Sequence, residues 1–322
     1  MSARLPLHAQ RLVVVTGKGG VGKSAVTAAL ASAAADAGRR VLAVEVGSGR
    51  LGSLLGGRSL SATPRTLRPC LAAAAIEPEA ALGDFVLGVL RFKTLARRLL
   101  ESTSFQILAA AAPGLPEFLI LHSLSGWLDA RRFGRPVYDL VVVDAPASGH
   151  IIGQLAAPQA INDLVKVGLI RSQTDWMLDI LSDPRQTGLV AVCTPEEMPV
   201  SETLELCTRV REETTVRMSA VVVNRVLPEL FSQREEEIFE QLRAPETEHV
   251  LSERVGGPVA PVLEAARLAV TMRRTRSVHL QRLQAGLPPD MPVLLMPYLF
   301  ARGFGARTTR QVARSLGEEL GL

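Results

Sequence analysis

Lysine is scarce in this chain. Only four occur among 322 residues, and two of them, Lys18 and Lys23, fall in one short loop. Aromatic residues contribute 4% and charged residues 21%, against 47% hydrophobic. The formal charge is only +4, and no Lys/Arg block is interleaved with stacking rings, so nucleic-acid binding is not expected. No uninterrupted apolar run reaches the ~18 residues that a membrane-crossing helix needs, so no transmembrane segment is expected. The opening residues, Met1 to Pro6, lack the apolar core of a signal peptide, and the expectation is a cytoplasmic protein. Cysteines number three, Cys70, Cys193 and Cys207, with no C-x-x-C pair. A disulfide framework or a zinc site within one chain is therefore not expected. Internal repeats are absent, and low complexity is limited to short alanine runs such as Ala72 to Ala75.

What is present begins with Gly17-Lys18-Gly19-Gly20-Val21-Gly22-Lys23-Ser24, which fits the phosphate-binding pattern G-x-x-x-x-G-K-[ST]. The run Leu12 to Thr16 before it reads as a buried strand, and Ser24 to Asp36 after it as an alanine-rich helix closed by Gly38. Strand, glycine loop and helix N-terminus in that order cradle phosphates with backbone N–H groups. Lys23 is placed to reach the β- and γ-phosphates of ATP, and the Ser24 hydroxyl to ligate Mg²⁺.

Further apolar runs read as strands of the same sheet: Val41 to Val46, Tyr138 to Asp144, Leu189 to Thr194, Ala220 to Asn224 and Val293 to Met296. Helical stretches separate them, and none of the runs alternates with polar residues. That pattern predicts an α/β fold, a doubly wound and mostly parallel sheet of the phosphate-loop NTPase kind, within a single domain over 1–322. Between about 77 and 135 no strand is evident, and Asp84 to Leu100 carries a continuous helical period. A helical subdomain is expected there, with a further helical part at about 155–185. Phe85, Val89, Phe92, Ala96 and Leu99 recur at helical spacing and could form one apolar face near Trp127 and Trp176. Core packing explains the same spacing.

Tyr138 to Asp144 ends in a carboxylate and runs into Ala145-Pro146-Ala147-Ser148-Gly149-His150. Asp144, at a strand tip beside the phosphate loop, is placed to hold Mg²⁺ through water, and Gly149 permits close approach to the γ-phosphate. A turn-capping role for Asp144 is the plainer alternative.

Together these segments resemble the arsenical-pump and tail-anchored-protein-targeting ATPases, within the deviant phosphate-loop class. The resemblance runs nearly end to end. Its carriers are Lys18 to Ser24, Ile76 to Leu82, Pro113 to Glu117, Asp144 to His150, Cys193 to Glu196 and Val222 to Glu229. It implies an ATP- and Mg²⁺-dependent ATPase that dimerises with itself or a paralogue, with Lys18 of each subunit reaching the partner's phosphates. The resemblance also implies that Asn224 reads the adenine edge, that Pro297 flanks the base, and that a hydrophobic helix is the client. His150 is expected to pack its loop rather than act as a base.

Three departures from the family pattern bear on function. The segment after Asn224 has no C-x-x-C pair, which removes a zinc-bridged dimer. The three cysteines do not match an arsenite-binding set, which weakens an anion-pump reading. Gly47 stands where the family places its water-orienting aspartate, with Glu45 the nearest substitute. The alternatives to a client-binding ATPase are thus a slow or non-catalytic partner of a paralogous ATPase, an arsenite-pump subunit, or a membrane-surface positioning ATPase. The last would use Val312, Leu316 and Leu320 of the C-terminal helix as an anchor face.

Overall fold

The computed structural model describes residues 9–321 except Ser48, Arg58, Arg91, Phe92, Pro113, Val167, Leu230, Ala301 and Arg302. The side chains of Val89, Ser148 and His150 are among those also outside the description, so the expectations placed on Phe92, Pro113, Val89 and the His150 side chain fall there too.

Strand β1 (Leu12–Gly17) feeds α1 (Lys23–Asp36), which returns to β2 (Val41–Val46). A one-turn α2 (Leu51–Leu54) and the edge strand β3 (Arg65–Arg68) lead to β4 (Leu71–Ile76). Helices α3 (Pro78–Val89), α4 (Lys93–Glu101), α5 (Thr103–Ala111) and α6 (Leu115–Asp129) follow. A short hairpin, β5 (Arg131–Arg132) with β6 (Arg135–Pro136), precedes β7 (Leu140–Asp144). Then come α7 (Ser148–Leu164), α8 (Leu169–Ser182), β8 (Thr187–Cys193), α9 (Glu197–Glu213) and β9 (Met218–Val226). The chain closes with α10 (Gln233–Leu242), α11 (Pro245–Val255), α12 (Ala260–Gly286), β10 (Val293–Pro297) and α13 (Ala306–Leu320).

The main sheet has the order β10-β9-β8-β1-β7-β2-β4-β3, and every pairing is parallel except β3 with β4. Successive residues of one strand point to opposite faces, and both faces are apolar. Leu12 and Val14 join a core cluster that contains Phe118, Leu155 and Val200, whereas Val13 and Val15 join one that contains Val26, Leu30 and Leu316. Burial on both faces is why the strand sequences show no polar alternation. The carboxyl ends of β1, β7, β8 and β9 lie side by side, which is where an open parallel sheet presents its ligand crevice.

Three sequence expectations change, and one strand falls where the sequence raised no expectation. The alanine run 72–75 belongs to β4, a fully buried strand paired with β2. Alanine favours helix locally, and the sheet overrides it because small side chains are what fit between closely packed layers. The 77–135 region does contain strand, since Phe133 and Gly134 both adopt positive φ, 52° and 78°, and turn β5 into β6. That pair of left-handed residues is the geometry of a tight hairpin turn. The helical period over 84–100 is split into α3 and α4, because Leu90 is extended and ends the first helix. Phe85 turns inward, 5.4 Å from Phe118 and 5.1 Å from His122 between ring centroids. Finally, Val312, Leu316 and Leu320 of α13 are buried, and α13 packs on α1, so the supposed anchor face is already covered. No helix among the described residues is long and apolar enough to cross a membrane.

Candidate phosphate-binding site

The loop between β1 and α1 is shaped by its glycines. A Cβ on Gly17, whose φ is 149°, would stand 2.2 Å from the Val192 carbonyl oxygen on neighbouring β8. Gly20 and Gly22 also have positive φ, 87° and 98°. A Cβ on Gly19 or Gly20 would meet nothing within 4 Å, so these residues border open space. Helix α1 begins with no side-chain cap and no acidic residue in its first turn. Its leading N–H groups are therefore available to an anion, and the helix dipole adds positive potential.

Lys23 is the first residue of α1 and is partly buried. Its Nζ lies 3.4 Å from the Lys18 carbonyl oxygen. Burial holds its pKa below the usual lysine value, partly offset by the charge of Asp144. Lys18 points elsewhere, because its ammonium pairs with Glu202 on α9 and both side chains are about one-third exposed. Nothing in the sequence flags Glu202, which lies 184 positions away.

Asp144 ends β7 between β1 and β2 and is only 7% exposed. Burial pushes its carboxyl up to about 6, while hydrogen bonding from Ser24, the Lys23 charge and hydrogen bonding from Thr27 pull the other way. The nearby Glu45 carboxylate raises it further. Oδ1 of Asp144 has no hydrogen-bond partner among the described residues. An orphaned, buried carboxylate oxygen beside a serine hydroxyl is a hard oxygen donor set of the kind Mg²⁺ accepts, so Ser24 and Asp144 fit that ion.

Glu45 is also buried, but both its oxygens are occupied. Oε1 accepts from the Gly49 N–H at 2.8 Å and Oε2 from the Leu51 N–H at 2.6 Å. This carboxylate braces the loop that follows β2. Gly47 in that loop has φ of 78°, its N–H donates to the Ile76 carbonyl at 2.8 Å, and a Cβ there would meet nothing within 4 Å. Gly149 sits exposed in the first turn of α7. Thr16 ties the end of β1 to the start of the β7–α7 loop, its hydroxyl donating to the Pro146 carbonyl at 3.3 Å. Asn224, at the carboxyl end of β9, donates its amide to the Val21 carbonyl at 2.8 Å. Pro297 ends the adjoining strand β10, beside Val226. The structure thus gathers Gly17, Gly22, Lys23, Ser24, Asp144 and Asn224 around one loop, while Lys18 turns out toward α9.

A phosphate loop at the carboxyl edge of a mostly parallel sheet, with a buried aspartate on the adjacent strand, defines a phosphate-loop NTPase. The family profile described as anion-transporting ATPase matches residues 10–178 and 170–253, and the chain belongs to that family. It is 33% identical over 232 residues to ATPase BagA of Mycobacterium tuberculosis, covering 69% of this chain and 67% of that protein. Putative ATPase Mb3704 of Mycobacterium bovis matches to the same extent. A putative arsenical pump-driving ATPase of Halobacterium salinarum is 25% identical over 274 residues, which covers 79% of this chain but 42% of that longer protein. Family membership implies ATPase activity.

The raised pKa of Asp144 has a consequence for stability. Its folded value of about 6 exceeds the ordinary 3.8. Between those values the folded chain keeps a proton that the unfolded chain releases, so this group's contribution falls as pH rises through about 6. Two units correspond to about 3 kcal/mol as an upper figure. Asp144→Asn is therefore expected to raise the melting temperature of the nucleotide-free protein at about pH 7.5, with the gain shrinking below about pH 5. The same variant should lose the stabilisation that Mg²⁺–ATP gives the parent. A calorimetric scan at both pH values checks this, and a gain of equal size at both would contradict it.

Proposed function

We propose that this chain is an ATP-hydrolysing switch that closes on a second copy of itself or a paralogue when ATP–Mg²⁺ is bound, and thereby alters how it holds a hydrophobic client or partner. The observation that carries this reading is the division of labour between the two loop lysines. The Lys23 ammonium turns back onto its own loop, whereas the Lys18 ammonium points away from the loop and pairs with Glu202. A solvent-accessible ion pair of that kind, each side chain about one-third exposed, is worth about 0–1 kcal/mol, little against a multiply charged phosphate. Lys18 can be exchanged from Glu202 to the triphosphate of a facing subunit at small cost.

In this reading the N–H groups of the loop and of the first turn of α1 bind the phosphates, and Lys23 neutralises the β- and γ-phosphates. Mg²⁺, held by Ser24 and by Asp144 through water, supplies charge neutralisation across those phosphates. Gly149, at the start of α7, lets that helix approach the γ-phosphate and move with it. Lys18 from the facing subunit then stabilises charge that develops in the transition state. Exposed apolar side chains support a partner surface: Leu95 and Ile107 in the 77–135 helices, and Val250, Val255, Val262 and Leu268 on α11 and α12. Trp127 and Trp176 instead pack against the core. Arsenite capture has weaker support, since burial pushes the Cys193 and Cys207 thiols up to about 12 and about 11, away from the thiolate form that binds soft metals.

A second reading, a slow regulatory partner of a paralogous ATPase, is favoured by one feature. Gly47 offers no carboxylate to position water, and Glu45 is committed to backbone N–H groups.

Two measurements separate these readings. Lys18→Ala is expected to keep ATP binding but lose ATP-dependent association and turnover. Normal turnover together with a normal ATP-induced change in small-angle scattering would refute the exchange of Lys18 between subunits. Steady-state hydrolysis by the parent should be weak and should rise in Gly47→Asp, where the new side chain enters open space and the left-handed backbone costs about 1 kcal/mol. A parent with brisk turnover that the substitution leaves unimproved would show that the attacking water is held from elsewhere.

A further inference from the structure

Asn224 is held at both ends of its side chain. Nδ2 donates to the Val21 carbonyl at 2.8 Å, and Oδ1 accepts from the Arg225 N–H at 2.9 Å. The Arg225 contact requires an oxygen, which leaves the nitrogen as the end that faces Val21. Arg225 itself sits in the left-handed region with φ of 61°, a conformation that a side chain this large adopts only when its surroundings impose it. Its carbonyl accepts from Arg276 Nη1 at 3.4 Å, and Arg273, also on α12, donates to the Leu227 carbonyl. The end of β9 and the residue after it are therefore braced from α12, and the Asn224 amide is aimed at the phosphate loop.

The Val21 carbonyl and the Gly22 N–H belong to one planar trans peptide and point in opposite directions. Fixing the oxygen toward Asn224 turns the N–H away from β9. Gly22 makes the contact possible, because a Cβ there would stand 2.2 Å from Asn224 Nδ2. We propose that Asn224 is a positioning residue of the phosphate loop. It orients the Val21–Gly22 peptide so that its N–H faces the bound triphosphate, and it acts on the phosphates of any ligand in the loop whatever the base. This rests on the reading that the loop binds triphosphate.

The test titrates the intact protein with Mg²⁺–ATP, Mg²⁺–GTP and Mg²⁺–tripolyphosphate, comparing the parent with Asn224→Asp and Asn224→Ser. Asn224→Asp keeps the shape but sets an acceptor against the Val21 oxygen. Asn224→Ser retains an acceptor for Arg225 on a side chain too short to reach Val21, and it serves if the first variant does not fold. Affinity is expected to fall by the same factor for all three ligands, about ten- to a hundredfold. The Gly22 amide shift that tripolyphosphate induces in a glycine-labelled ¹⁵N spectrum of the parent should be lost in the folded variant. A loss confined to ATP, with tripolyphosphate and the Gly22 signal unaffected, would overturn the proposal in favour of base recognition. Variants that bind every ligand as tightly as the parent would overturn it as well. A parent that binds none of the three would overturn the phosphate-loop reading, and this inference with it.

Discussion

Asp144 stands at the tip of an otherwise wholly apolar strand, taken almost completely out of water with one carboxylate oxygen unpartnered among the described residues. Keeping a carboxylate there disfavours its charged form, and the site around it supplies counter-groups. Lys23 brings an ammonium from the start of α1, and Ser24 and Thr27 direct hydroxyls at the carboxylate. Each charge offsets only part of the other's burial, which remains the larger cause. Lys23 is itself pulled below its usual pKa by burial, and its ammonium contacts a loop carbonyl at 3.4 Å. A site that disfavours the charged forms of both an acid and a base is stabilised by a ligand carrying both signs, and a metal-bound polyphosphate is such a ligand.

The backbone around these charges is fixed by close approach. Gly17 lets β1 pass under the Val192 carbonyl, and Gly22 leaves the space that the Asn224 amide occupies. Glu45 spends both oxygens on the N–H groups of Gly49 and Leu51, which makes it a brace for the loop after β2. In the function we propose, binding and catalysis are thereby separated. The groups suited to phosphate and metal are in place within one chain, while the loop after β2 carries Gly47 in a left-handed conformation.

Much of this was legible in the sequence because it depends on local signals. The strand, glycine loop and helix around Lys23, the apolar strand ending in Asp144, and the strand ending in Asn224 all follow from periodicity and residue type. Three things were not legible. The alanines of β4 carry a helix-forming preference that only sheet packing reverses. The break between α3 and α4 lies inside an unbroken apolar period and is marked by no proline. The partners of Lys18 and Asn224 are set by tertiary approach, since Glu202 lies 184 residues from Lys18 and Val21 lies 203 from Asn224, and no spacing rule reaches that far.

The central claim is that the loop at the end of β1 holds the phosphates of ATP with Lys23 as its mobile cation. The most direct measurement is a calorimetric titration of Mg²⁺–ATP into the parent and into Lys23→Ala, with folding of both verified by thermal melting. The account predicts saturable binding by the parent and a loss of at least about tenfold in the variant, the scale of removing a charge-assisted contact. Equal affinity in the two proteins would contradict it.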